Sequence, residues 1–324
     1  MLWSAMIVIS TLTGCAPVTL EPPAIESPMQ LEAPPIGEGI QIGFGPFVVP
    51  PHDEVWLCEV YELPTSTYSH VNWVEYEQTA GTHHMTLSTL GLDGQSDAIA
   101  PGTYDCEDLY NNSSLMQEQI MFFGAQGDAE GTLHLPEGVA ASMPPAMTII
   151  HEMHYVNAFD EAVELFSNVN AWTLSDNEVE EGIWGGQVRD ETLDVPDGQI
   201  TSEWTRCVMN EDVDVLFLAS HTHELGVEFT VKLFDGENAG EEIYLNTDLH
   251  TPLITQYDPP LHIPAGTGFE YSCTWDNDSG EDKFYGPTSE DEMCNLAIVH
   301  MPFSITAQCD VVETSDGVLW QPGD

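Results

Sequence analysis

The sequence is almost without positive charge. Its 324 residues hold four Lys and Arg against 55 Asp and Glu, a formal net charge of −51 at pH 7. A surface of that sign repels phosphate backbones and acidic headgroups, which excludes nucleic acid and anionic membranes as general electrostatic partners. It suits a strongly hydrated, self-repelling protein in salty surroundings, where screening makes the charge tolerable. Long apolar runs are also missing: beyond residue 15 no stretch reaches the roughly 20 residues a membrane helix needs. There is no CxxC pair, which argues against a cysteine zinc site. The EF-hand spacing is absent too, since "DNDSGED" (276–282) has the oxygens in the wrong order. No long segment carries a 3.6-residue period, and no internal repeat is visible.

What is present argues for packed cores: 42% hydrophobic residues and eight Trp. Residues 1–15, "MLWSAMIVISTLTGC", form a short apolar run without Lys or Arg. The run resembles a bacterial lipoprotein signal, with Cys15 as the lipidated first residue of the mature chain; an ordinary secretory signal is the alternative. Either implies export to the periplasm, the outer membrane or the outside, with membrane contact only through that lipid. Residues 16–40, rich in Pro and acidic residues, read as an extended tether. Without Cys15 six cysteines remain: Cys58, Cys106, Cys207, Cys273, Cys294 and Cys309. An even set in an exported chain suggests disulfides, in any of about 15 pairings.

Strand signals dominate the rest. "GVEFTVKLF" (226–234) alternates Val227, Phe229, Val231 and Leu233 with polar neighbours, the pattern of a half-buried strand. "AMTIIHEMHYV", "GFEYSCTW" and "CNLAIVHMPFSI" are short, β-branched and aromatic, and Gly/Pro turns separate other strands. The expectation is an all-β chain of two antiparallel β-sandwich (jelly-roll-like) domains in tandem. The acidic, Gly-containing stretch 175–186 divides them, giving domains at 41–176 and 177–324.

Among 12 histidines three clusters stand out: "THHM" (82–85), "HEMHY" (151–155) and "HTHELG" (221–226). On a strand, His221 and His223 share a face and can form a ligand pair; a polar face or a satisfied core pair is the bland reading. Adjacent His83 and His84 point to opposite faces unless the chain bends or bulges there. His151 and His154 also face opposite ways, so at most one of them belongs to a given site. The helical zincin motif needs a different spacing.

A fourth segment, "SEDEMCNLAIVHMPF" (289–303), changes the weight of these clusters. "HHM", "HEMHY", "HTHELG" and "DEMC", in this order and after "DEVWLCEVYELP" (53–64), resemble the copper type II, ascorbate-dependent monooxygenases. That is the family of peptidylglycine α-hydroxylating monooxygenase and dopamine β-monooxygenase. The resemblance spans residues about 45 to 310. It implies two coppers per chain, one in each β-sandwich. His83, His84 and His154 would hold an electron-transfer copper; His221, His223 and Met293 would hold the copper that activates dioxygen. It also implies the disulfides Cys58–Cys106, Cys207–Cys309 and Cys273–Cys294. A neutral thioether is soft and suits Cu(I) better than Zn(II), whereas an all-histidine site accommodates both copper oxidation states. The implied activity is hydroxylation of a substrate C–H bond with dioxygen and ascorbate or another external electron donor.

The chain also departs from that pattern. Family members acting on peptidylglycine have Arg two residues before HTH and Tyr four residues after the ligand Met, to anchor the substrate carboxylate. Here those positions are Ala219 and Ala297, and only Asn295 remains as a candidate substrate contact. The expected substrate is therefore small and neutral or cationic, and peptide amidation is not expected. Asp214 and Leu216 stand where the family often has His and Phe. The competing reading is a copper-binding lipoprotein for copper handling that hydroxylates nothing. His52, His70, His134, His151, His250, His262 and His300 are read as surface or structural residues.

Overall fold

The computed structural model describes residues 31–90, 99–112, 120–249, 254–286 and 291–318. The segment 1–15 with Cys15, the tether up to residue 30, and His250 lie outside them. The described residues are all-β: 23 strands and one short helix, Cys106–Asn112. Among them no helix is long and apolar enough to cross a membrane.

The first half of the chain forms two sheets face to face. One has six strands, in the order Gly39–Val49, Val163–Leu174, Ser69–Gln78, Val139–Met143, Glu181–Gly182, with Glu130–His134 also paired to Ser69–Gln78. The other has five, in the order Gly102–Asp105, Glu54–Glu62, Thr148–Val156, His84–Thr89, Ile120–Ala125. Ile42, Phe44, Leu165 and Val169 from the first sheet meet Met85, Leu87, Ile149 and Met153 from the second in one core. The strand Thr148–Val156 is buried along almost its whole length. Its odd-numbered Ile149, Met153 and Tyr155 face that core. Ile150, on the other face, packs with Cys58, Val60, Cys106 and Leu109 beneath the short helix. That leaves the same outer face to carry Glu152 and His154 further along.

The second half repeats the arrangement. A four-stranded sheet in the order Trp184–Arg189, Asn295–Met301, Val213–His221, Ile254–Ile263 packs on a six-stranded one. The latter runs Glu242–Asn246, Gly226–Phe234, Gly268–Asn277, Gln199–Met209, Cys309–Thr314, Gly317–Val318. Val188, Leu218, Leu296 and Ile298 meet Phe229, Val231, Tyr271 and Trp275 between them. The strand Glu181–Gly182 still pairs with Val139–Met143, and Trp184–Arg189 pairs with Asn295–Met301, so the sheets change partners around residue 183.

Phe229 and Val231 point inward as their alternation predicts, but Val227 is 43% exposed. The pairing register slips between Gly226 and Glu228, and one extra residue reverses the face of everything before it. Gly226 itself is required by close packing, because a Cβ there would collide with the side chain of Thr222.

Three disulfides fasten the sheets: Cys58–Cys106, Cys207–Cys309 and Cys273–Cys294. The first ties the helix to the strand Glu54–Glu62. The third crosses the second core and fixes the residue after Met293. Closing its span of 21 residues contributes about 3 kcal/mol in the chain-entropy account.

One buried acid works against this stability. Glu203, 8% exposed, accepts the Asp194 N–H at 3.2 Å. Burial first, then the charges of Asp316, Asp190 and Asp194, push its carboxyl from 4.5 up to about 7. The folded state binds this proton more tightly than the unfolded chain, so the term costs stability as pH rises from 4.5 to 7 and stays lost above. Glu203→Gln is expected to raise stability at pH 8 by on the order of 1 kcal/mol or more, with no gain at pH 4. Urea denaturation at the two pH values checks this, and equal gains at both would refute it.

Candidate metal centres

The first centre lies on the outer face of the five-stranded sheet. His84 opens the strand His84–Thr89 and is the direct cross-strand partner of His154, so both rings project from one face. His83 stands just before that strand in a bend, where its N–H donates to the His154 carbonyl at 3.0 Å. The bend frees it from the pleat, and its ring turns to the side of His84. Nitrogens of His83, His84 and His154 lie within 4.8 Å of one another.

Two carboxylates orient these rings. His84 Nε2 donates to Glu152 Oε1 at 2.8 Å, and His154 Nε2 donates to Glu54 Oε1 at 2.7 Å. With the proton held at Nε2, Nδ1 keeps its lone pair in both rings. The Nδ1 atoms of His83 and His84 are 3.1 Å apart. Burial holds His154 below its ordinary pKa although Glu54 pulls the other way, which favours the neutral ligand form. Glu152, 4% exposed, also accepts from Trp56 Nε1 at 2.7 Å and Tyr110 Oη at 2.8 Å. Burial alone would raise its pKa. The hydrogen bonds from His84, Trp56 and Tyr110 win, and the carboxyl stays below its usual range.

The second centre is built differently from the simple strand pair expected. His221 ends the strand Val213–His221, and His223 lies beyond it, where the chain has left the sheet. Pleat alternation therefore does not set the two rings side by side. They meet edge to face, with centroids 5.3 Å apart at 83°. Glu292 captures the departing turn: its carboxylate, 1% exposed, accepts the N–H of His223 at 3.1 Å and of Leu225 at 2.9 Å. It also accepts the Trp275 indole at 3.0 Å and the Met293 N–H at 3.3 Å. His223 Nδ1 donates to the Asp291 carbonyl at 2.9 Å, leaving Nε2 free. Asn295 is the direct cross-strand partner of His221, and its amide reaches Met293 Sδ at 3.1 Å. The thioether is thus tied to the strand position beside His221. Asn295 itself is 2% exposed and has no partner for Oδ1 among the described residues.

The donor sets fit copper in both places: three neutral imidazoles in one, and two imidazoles beside a soft thioether in the other. Burial first, then the charges of His223, His84, His83 and Arg189, push His221 down to about 3. Further along the outer face of the four-stranded sheet, Leu216, Phe217, Val299 and Met301 pack against Leu133, Leu135 and Val139 from the first half. Leu216 fills that cluster and Asp214 bonds His262 at 2.8 Å, away from the candidate ligands.

Ala219 and Ala297 are direct cross-strand partners on the same face as His221 and Asn295. The next strand adds Gln187 opposite Ala297 and Arg189 opposite Asn295. Charge arithmetic over the sequence missed Arg189, because only the register brings it to this face. Glu152, Glu54 and Glu292 were missed as well. For Glu152 a signal existed: it lies two residues before His154 and so shares its face.

The other described histidines lie apart from both centres. His151 is fully buried in the core against Phe44, with ring centroids 5.2 Å apart, and desolvation lowers it to about 3. His52 pairs with Asp160, His70 with Ser142, and His134 stacks on Trp73. His300, 2% exposed, faces away from His221.

Comparison with known proteins matches residues 190–321 to the family model of the copper type II ascorbate-dependent monooxygenase C-terminal domain. Among curated proteins, peptidyl-glycine alpha-amidating monooxygenase A of Xenopus laevis is 23% identical over 293 residues, 85% of this chain. The chain spans 30% of that relative's length. Among solved structures, one of the infectious bursal disease virus Gt strain covers 88% of this chain and 77% of its own. At 11% identity and a TM-score of 0.13 that likeness carries no argument. The family match over residues 190–321 and the curated relative make this chain similar to the copper type II, ascorbate-dependent monooxygenases.

Proposed function

We propose that the protein hydroxylates a C–H bond of a small substrate, using two coppers, dioxygen and ascorbate or another external reductant. The observation that carries the reading is Met293 Sδ held by Asn295 at the strand position beside His221. A thioether beside two imidazoles favours Cu(I), the state that reacts with dioxygen. Bound copper would supply one-electron chemistry and dioxygen activation. His83, His84 and His154 would hold the electron-transfer ion through nitrogens whose tautomers Glu152 and Glu54 fix in two rings. His221, His223 and Met293 would hold the other. Glu292 keeps the HTH turn and Met293 in register without touching a ring nitrogen. Domains at 41–176 and 177–324, one centre in each, export, and a lipid at Cys15 belong to the same proposal.

The two alanines bear on the substrate. Ala219 and Ala297 themselves supply no charged group to clamp a carboxylate, so the part of the substrate above them is uncharged. That is the ground for a neutral or cationic substrate. Arg189, exposed on the adjoining strand and without a carboxylate partner among the described residues, stands against the cationic alternative. A neutral substrate satisfies both.

Metal analysis tests the copper reading. The protein should bind two coppers per chain, and His83→Ala with His84→Ala should remove one. Met293→Ile should abolish reductant-driven oxygen uptake while the first copper remains. Turnover that survives Met293→Ile would refute the assignment, and two coppers without oxygen uptake on any substrate would leave copper handling as the function. Arg189→Glu should lower KM for primary-amine probes by about tenfold, with little change for neutral analogues of the same shape. Unchanged KM ratios would remove Arg189 from the substrate site.

A further inference from the structure

The two centres differ in the charge placed behind their ligands. At the first, two of three imidazoles donate their distal N–H to carboxylates: His84 to Glu152 at 2.8 Å and His154 to Glu54 at 2.7 Å. Glu152 is 4% exposed and receives only donors, from His84, Trp56, Tyr110 and Thr86, which is the environment of an ionised acceptor. At the second, His223 gives its distal N–H to a neutral carbonyl, that of Asp291. Met293 Sδ is drawn on by the Asn295 amide, and the cationic Arg189 stands on the adjoining strand opposite Asn295, the cross-strand partner of His221. Glu292, a carboxylate close by, spends its oxygens on backbone N–H groups and the Trp275 indole.

Anionic hydrogen-bond acceptors raise the basicity of a metal-bound imidazole and stabilise the higher charge of Cu(II). A thioether and a cation do the reverse. Resting on the copper reading above, we infer that Glu152 and Glu54 set the first centre at a lower reduction potential than the second. The difference gives the electron a direction. With copper bound and an external one-electron donor present, that difference would favour passage of an electron from an ion held by His83, His84 and His154 to one held by His221, His223 and Met293. Glu152 and Glu54 are positioning residues in this scheme: they touch ligands and never substrate. Buried Glu152 has the larger effect, because solvent screens the exposed Glu54.

Anaerobic redox titration followed by the Cu(II) EPR signal tests this, with His221→Ala/His223→Ala and His83→Ala/His84→Ala proteins isolating each centre. The first centre should hold Cu(II) at potentials where the second is already Cu(I). Glu152→Gln, which keeps an acceptor of the same shape, should shift the first centre toward Cu(I) by roughly ten- to a hundredfold. Glu54→Gln should shift it less, and neither should move the second. Glu54 is exposed, so its variant decides the matter if Glu152→Gln fails to fold. Equal potentials in the parent, or potentials unmoved by both variants, overturn this inference alone. A chain that takes up no copper at His83, His84 and His154 overturns the copper reading and this inference with it.

Discussion

Both centres depend on one constraint: a strand that buries one face must put every second side chain on the other. Met85 and Leu87 lock the strand His84–Thr89 into the first core, which forces His84 outward. Leu296 and Ile298 lock Asn295–Met301 into the second, which forces Asn295 and Ala297 outward beside His221 and Ala219. A slip of one residue in either strand would turn the side that carries the candidate ligands into the core. The cost of that slip is the burial of two large apolar side chains per strand, several kcal/mol at about 25 cal/mol per Å². The geometry of the centres is therefore held by residues that never approach a metal.

Where the chain leaves the pleat, that constraint ends and hydrogen bonds replace it. His83 and His223 both sit outside a strand. His83 is held by a backbone bond to His154, and His223 by the Glu292 carboxylate and the Asp291 carbonyl. Glu292 joins two segments nearly 70 residues apart in sequence, a bridge that the Cys273–Cys294 disulfide reinforces from the other side. Burial raises its carboxyl pKa, and the N–H groups of Leu225, His223 and Met293 oppose that rise. A buried carboxylate keeps its place only when such donors surround it.

The sequence makes the strands legible through period-2 alternation, and the histidine clusters through their spacing and their order along the chain. The all-β class follows from these signals without any coordinates. The connectivity of the cysteines does not, and it entered only through family resemblance. Other features depend on which strands become neighbours, something no local pattern encodes. Arg189 and Asn295 are 106 positions apart, and only the pairing of Trp184–Arg189 with Asn295–Met301 sets them side by side. The exposure of Val227 likewise depends on a bulge that alternation cannot anticipate. The strand placement assumed for His223 failed for the same kind of reason, since a distant carboxylate decides where that strand stops.

Scarcity of cations shapes the interior as much as the surface. A buried carboxylate in most proteins meets Arg or Lys, but four cations cannot serve 55 acids. Arg206 is committed to Glu270 and Glu313 at 2.7 and 2.6 Å, and Lys283 to Glu281. The buried acids accordingly turn to neutral donors. Asp190 takes Thr192 and Thr205, Glu152 takes Trp56, Tyr110 and a histidine, and Glu292 takes three backbone N–H groups and an indole. Such arrangements leave the negative charge uncancelled, and its field persists where the local dielectric is low. Beside a metal-binding histidine that field becomes part of the centre. The composition that makes the surface acidic thus also determines what kind of charge stands behind the ligands.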